Sequence, residues 1–204
     1  MIYLIRHGEI DAGDRYIGRT DLPLTRDGEG RIKKWCAVFN AFSLRAIYCS
    51  RMIRSHRSAR IIRGERDIPV YPMPALNEIS LGKWEGVPIR KIKTRYPEEW
   101  TARGKQIDTF RPENGESFGD LSKRVIPAFE SVVEKAGDEN ILIVGHAGVN
   151  RVILCHVLKM PLNCLFRLAQ DYGGLNIIEE KASAYHLKLM NFSIENNKQI
   201  DCLP

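Results

Sequence analysis

Three short runs of uninterrupted apolar residues punctuate the chain: Ile2 to Ile5, Ala46 to Cys49 and Ile141 to Val144. A strand with one wet face alternates apolar and polar residues, so a run without alternation marks a strand covered on both sides. Each run stops abruptly at Arg6-His7-Gly8, Ser50-Arg51 or Gly145-His146-Ala147-Gly148, which predicts a buried strand opening into a loop. Between the runs the period changes to 3.6. Ile32, Trp35, Cys36 and Phe39, within Asp27 to Phe42, share one helix face. Met52 to Ile62 reads as a short basic helix. Phe118, Leu121, Val125, Phe129 and Val132 form a longer stripe, in which Pro127 predicts either a kink or a freed carbonyl turned to water. Val149 to Leu158 is mostly apolar and ends shortly before Pro161, as a buried helix would. Strand and helix in alternation predict an α/β fold, a three-layer sandwich with helices on both faces of a mostly parallel central sheet.

Residues 69–114 break this rhythm with Pro69, Pro72, Pro74, Pro88, Pro97 and Pro112 set among charged residues. The segment reads as a lid inserted over the C-terminal edge of the strands, carrying helices at Ile89 to Arg95 and around Glu98 to Arg103. Leu175 to Ile178 and Tyr185 to Leu189 predict a hairpin that closes the sheet. Residues 193–204 read as a polar tail, and the whole of 1–204 as one domain. There is no internal repeat.

Composition narrows the classes. Five cysteines without a C-x-x-C pair argue against a disulfide framework or a zinc ribbon and favour a reducing cytoplasm. No uncharged stretch approaches the ~20 residues of a membrane span, the N-terminal apolar run is too short for a signal-peptide core, and mean hydropathy is −0.28. Thirty-one Lys and Arg against 25 Asp and Glu leave a net charge of +6, suited to a nucleic acid or to a small anionic substrate. No basic stripe with interleaved aromatic residues supports the polymer.

In an open α/β sheet, ligands bind where loops converge at the carboxyl ends of the strands. The three strands deliver Arg6-His7, Ser50-Arg51 with Arg54, and His146 to one edge. Guanidinium forks suit phosphate oxygens, and neutral imidazole is a nucleophile toward phosphorus. The constellation predicts phosphoryl transfer. Arg51, Arg54, Arg57, Arg60 and Arg63 repeat every third position, which by itself describes a solvated helix face.

Leu4-Ile5-Arg6-His7-Gly8-Glu9 resembles the R-H-G signature of the histidine phosphatase superfamily, which includes the phosphoglycerate mutases. Five further blocks in order resemble that family: Gly18 to Thr25 with Gly28, Ser50 to Arg54 with Ser58-Ala59, Leu76 to Gly86, Asn114-Gly115-Glu116-Ser117, and Val144 to Val149. The resemblance implies a phosphoglycerate mutase-like fold and a metal-independent reaction without cofactor. It makes His7 the nucleophile that becomes phosphohistidine, Arg6, Arg54 and His146 the phosphate pocket, and Glu78 the proton donor. Gly18, Arg19, Glu116 and Ala147 are the further substrate-side candidates. Ile10, Gly13, Ser58 and Gly30-Arg31 depart from the family pattern and bear on the shape of the pocket. The short gap from Val87 to Asn114 is more similar to alpha-ribazole phosphatases and broad-specificity phosphatases than to mutases. The expectation is therefore a phosphomonoesterase acting on a small phosphate ester, with alpha-ribazole 5′-phosphate of cobalamin biosynthesis as leading substrate. A mutase, a sugar (bis)phosphate phosphatase and a non-catalytic phosphate-binding domain are the alternatives. No nucleic-acid or membrane partner is expected, and a homodimer is compatible with the sequence.

Overall fold

A computed structural model of the chain describes residues 1–182 and 184–194. Its strands are β1 (Ile2–Arg6), β2 (Ala46–Cys49), β3 (Val70–Pro72), β4 (Ile141–Gly145), β5 (Leu175–Lys181) and β6 (Ala184–Phe192). The α-helices are α1 (Arg26–Phe39), α2 (Ile53–Arg63), α3 (Ile89–Arg95), α4 (Pro97–Lys105), α5 (Phe118–Ala136) and α6 (Ala147–Val157). One mixed sheet runs β3-β2-β4-β1-β5-β6. The first four strands are parallel, and β5 and β6 add an antiparallel hairpin against β1.

Alternate residues of the unbroken apolar strands serve different layers, which explains why those strands lack polar positions. Leu4 and Ile143 pack with Leu121, Val125 and Phe129 of α5 and Val149 and Ile153 of α6. Ile5, Ile47 and Val144 pack with Ile32, Trp35 and Phe39 of α1 and Ile62 of α2. The helical stripes read from the sequence are these buried faces. Thr25 caps α1 by accepting from the Gly28 N–H, and Ser117 and Asp120 form a reciprocal capping box on α5. Pro127 lies inside α5 on its exposed face with Lys123, four residues earlier, also exposed, so the freed carbonyl meets water.

Two boundaries differ from expectation. The sheet extends into the stretch assigned to the insertion, because Val70–Pro72 pairs with β2 as a parallel edge strand. Three residues are too few to show a period, and proline is tolerated at an edge where its missing N–H faces outward. The tail does not begin at residue 193, since Ile194 is only 9% exposed and joins the core beside Trp35. Residues 195–204 of the expected tail lie outside the described residues.

Register places the chemistry. Ile5 and Cys49 both lie level with Val144, and Arg6 lies level with Gly145. The next residue of each strand therefore leaves the sheet at the same height, and the His7 N–H donates to the Gly145 carbonyl at 3.1 Å.

Candidate active site

His7 and His146 come out of parallel neighbours β1 and β4, with ring centroids 4.9 Å apart and interplanar angle 63°. Both are buried, at 3% and 0% exposure. The His7 Nδ1 lies 2.7 Å from the Gly8 carbonyl oxygen, which can only accept. That contact assigns the ring proton to Nδ1 and leaves a lone pair on Nε2. Arg54 Nε donates to this Nε2 at 3.3 Å. His146 Nε2 meets Ser50 Oγ at 2.7 Å, while its Nδ1 is buried without a hydrogen-bond partner among the described residues.

Arg54 is 1% exposed although it belongs to the basic run of α2. Its guanidinium donates to the Thr20 carbonyl at 2.8 Å and the Gly18 carbonyl at 2.6 Å. Gly18 has no room for a side chain, since a Cβ there would stand 2.2 Å from the Ile79 carbonyl oxygen. Two hydroxyls of α2 fasten it to the strand ends. Ser55 donates to the Val144 carbonyl, and Ser58 accepts from the Gly8 N–H while donating to the Arg54 carbonyl. Ser58, a departure from the family pattern, thus ties Gly8 to α2 in this chain. Arg6 donates to the Gln170 carbonyl at 2.7 Å and lies 3.7 Å over the Tyr172 ring.

Glu78 is 7% exposed. Its Oε2 accepts from the Gly148 N–H in the first turn of α6 at 3.0 Å, and its Oε1 accepts from its neighbour Ile79. Gly148 is required by this approach, because a Cβ would stand 2.5 Å from Glu78 Oε1. Arg6, His7, Arg54, Glu78, Ala147 and Gly148 all line one cleft of about 250 Å³. His146 is not itself a lining residue but packs against the His7 ring that is. Gly18 contributes its carbonyl to Arg54 rather than a wall. Arg19 is exposed and pairs with Glu116 at 3.5 Å, and neither lines the cleft. Ile10, the departure after R-H-G, is a buried lining residue, so an apolar wall stands where a hydroxyl was expected.

Several lining residues escaped the sequence reading. Tyr172 approaches both Arg6 and the His7 ring, the latter at a centroid distance of 5.5 Å, from a loop with no motif. Arg103 of α4 and Arg151 of α6 also line the cleft with Phe118 and Phe166. Arg151 was within reach, since it lies one helical turn after Ala147 and so shares its face.

Burial holds the His7 imidazole far below the ordinary histidine range, and the Arg6 and Arg54 guanidiniums push it lower still. His146 is lowered for the same first reason, with His7, Arg54 and Arg6 adding to it. Both rings are therefore neutral near pH 7 in the folded protein. The unfolded chain takes up these protons at an ordinary 6.5, so stability is complete above that pH and is lost as pH falls toward the folded values. The double change His7→Asn with His146→Asn should flatten the acid side of the stability profile by up to about 1.4 kcal/mol per pH unit for each histidine. Urea unfolding between pH 4 and 7 measures this; parallel profiles for both proteins would contradict it.

The neighbouring neutral imidazoles of His7 and His146, the guanidiniums of Arg6 and Arg54 and the Glu78 carboxylate make a set of groups suited to a phosphoryl group. Residues 2–193 match the model of the Histidine phosphatase superfamily (branch 1). The chain belongs to the histidine phosphatase superfamily. It is 30% identical over 193 residues to an adenosylcobalamin/alpha-ribazole phosphatase of Salmonella typhimurium, covering 93% of this chain and 95% of that one. It is also 30% identical to a 6-phosphofructo-2-kinase/fructose-2,6-bisphosphatase of Caenorhabditis elegans, over 91% of this chain but 39% of that bifunctional one. The crystal structure of an alpha-ribazole phosphatase from Shigella flexneri superposes with a TM-score of 0.86 at 29% identity, covering 94% of this chain and 96% of the other. This histidine phosphatase is thus a phosphoric monoester hydrolase with the phosphoglycerate mutase-like fold of its relatives.

Proposed function

We propose that the enzyme hydrolyses a small organic phosphate ester through a phosphohistidine on His7. The carrying observation is the pair of contacts on that ring: Nδ1 tied to the Gly8 carbonyl leaves Nε2 unprotonated, its lone pair accepting from Arg54 Nε, a donor that a bound phosphoryl group would take over and so free the nucleophile. In the first step Nε2 attacks phosphorus, the P–O bond breaks, and Glu78 gives its proton to the leaving oxygen. In the second, water attacks the phosphohistidine, Glu78 takes the water's proton, and phosphate departs. Arg6, Arg54 and His146 stabilise the charge spread over the equatorial oxygens. The buried Arg6 Nε and His146 Nδ1 lack partners among the described residues, and a phosphoryl oxygen would supply them. The segment carrying α3 and α4 acts as the lid, since Arg103 reaches the cleft from it.

Likeness over nearly the whole chain to alpha-ribazole phosphatases favours alpha-ribazole 5′-phosphate as substrate, and hence a place in cobalamin biosynthesis. The described cysteines are free, in keeping with a reducing cytoplasm. A second reading, a sugar bisphosphate phosphatase, draws on the charge of the outer cleft. Arg15, Arg103 and Arg151 line it beyond the phosphate pocket, with Glu78 the sole lining carboxylate among the described residues.

A panel of alpha-ribazole 5′-phosphate, fructose bisphosphates and phosphoglycerates, scored for released phosphate, ranks the readings. Alpha-ribazole 5′-phosphate is expected to give a kcat/KM at least about tenfold above the others, a margin one or two good contacts supply. EDTA should leave every rate unchanged. Faster hydrolysis of the bisphosphates would transfer the assignment to the second reading, and isomerisation of 3-phosphoglycerate without phosphate release would refute both.

A further inference from the structure

The Gly115-Glu116-Ser117 turn is part of the family resemblance, yet Glu116 stands away from the cleft. Its contacts show where it acts. Arg124, from the second turn of α5, donates through Nε to Glu116 Oε1 and through Nη2 to Oε2, both at 2.9 Å. Its other three N–H groups go to backbone carbonyls of Ala75 and Asn77, each at 2.7 Å, and of Glu78 at 3.0 Å. All five donors of the guanidinium are thereby used. Glu116 adds its own hold, since Oε2 accepts from the Ser80 N–H at 2.8 Å and its N–H donates to the Ser80 carbonyl at 2.8 Å.

We propose that Arg124, gripped by Glu116, is a positioning residue for the proton donor, fixing the backbone of residues 75–80 so that the Glu78 carboxyl meets the leaving oxygen. The inference rests on Glu78 serving as the acid. Arg124 holds the loop from Ala75 to the Glu78 carbonyl, and Glu116 holds it beyond Glu78 at Ser80. Among the described residues the Glu78 carboxylate itself is held only by the Gly148 N–H of α6 and its own neighbour's N–H. A loop free to shift by about 1 Å would misplace a group whose transfer needs hydrogen-bond geometry, a loss of the order of 10²-fold. Lysine could not replace this arginine, because three donors on one nitrogen cannot span three carbonyls and a carboxylate.

Leaving-group chemistry separates positioning of the acid from general damage. An alkyl phosphate such as glycerol 2-phosphate must have its leaving oxygen protonated, whereas p-nitrophenolate departs without help. Arg124→Gln should lower kcat/KM, which reports only the steps up to departure of the leaving group and not the shared hydrolysis of phosphohistidine, by roughly 30-fold or more on glycerol 2-phosphate while lowering it on p-nitrophenyl phosphate by less than about 3-fold. Glu116→Gln, which keeps the shape of the turn, should give the same pattern at about a third of the size and serves if Arg124→Gln does not fold by circular dichroism. Equal losses on the two esters, or no loss on either, would overturn the proposal. Glu78→Gln measured alongside distinguishes the two possible failures. If Glu78→Gln discriminates between the esters and the Arg124 variant does not, the positioning role is wrong and the acid assignment stands. If Glu78→Gln affects both esters alike, the acid assignment falls and the positioning role with it.

Discussion

His7→Asn is expected to abolish hydrolysis of p-nitrophenyl phosphate, with kcat down by about 10⁴-fold or more, while the circular dichroism spectrum is retained. The size follows from the chemistry. Without a nucleophile the enzyme can only orient water toward an ester held by Arg6 and Arg54, and water has no place prepared for it beside a ring that is 3% exposed. Asparagine is the informative replacement because it fills most of the imidazole's volume and its amide can still donate to the Gly8 carbonyl that Nδ1 now contacts. Arg54 keeps its two carbonyl anchors at Gly18 and Thr20, so the phosphate pocket should persist. The variant should therefore bind phosphate with little change while turning nothing over. Quenching wild-type enzyme and a phosphorus-labelled ester in alkaline detergent should trap label in a base-stable, acid-labile bond, and the variant should trap none. Hydrolysis within tenfold of wild type, or label retained by His7→Asn, would remove the nucleophile from His7.

The fold and the reacting pair were legible because one physical constraint wrote them in a form that sequence preserves. Strands covered on both faces cannot alternate, so β1, β2 and β4 stood out as unbroken apolar runs, and the register of a parallel sheet did the rest by bringing Arg6, Ser50 and Gly145 to one level, with His7 and His146 the next residues out. The antiparallel pair β5 and β6 was legible for the opposite reason, as a hairpin around a short turn. What escaped were features of tertiary origin. β3 is short and lies on the edge, so burial imposes little pattern on it. Tyr172 and Arg103 reach the cleft from a loop and from a short helix whose placement no period encodes. Glu116 was singled out by its motif, but its partner Arg124 lies eight residues on in α5 and was visible only once the turn and the helix faced the Glu78 loop. Motif residues thus pointed to the right neighbourhood, and the contacts decided which of them face the cleft and which hold those that do.

Glu85 carries the second large effect without standing among the residues that handle phosphate. Its carboxylate accepts from the N–H groups of Gly18 at 3.1 Å, Arg19 at 2.6 Å, Thr20 at 3.3 Å and Leu81 at 3.2 Å, and from the Thr20 hydroxyl at 2.8 Å. One carboxylate therefore shapes the turn whose Gly18 and Thr20 carbonyls hold Arg54. Glu85→Ala leaves several of these donors to water that the half-buried turn admits only in part. The expected cost is about 2–4 kcal/mol of stability. Because Arg54 loses the geometry of both anchors, kcat/KM should fall by roughly 10²-fold on every ester, aryl and alkyl alike. That uniform loss contrasts with the discriminating loss expected of Arg124→Gln. Burial alone would raise the Glu85 pKa, but the bonds from Arg19, Thr20, Leu81 and Gly18 outweigh it and hold the carboxyl below the ordinary 4.5. Its ionised form is the stabilising one, so the contribution is complete above pH 4.5 and is lost as pH falls through the lower folded value. The stability difference between wild type and Glu85→Gln, measured by urea unfolding, should accordingly be largest near neutrality and shrink toward pH 3. A difference that is flat with pH, or an Arg54 site that works undiminished in Glu85→Ala, would show that the turn holds its shape without this carboxylate.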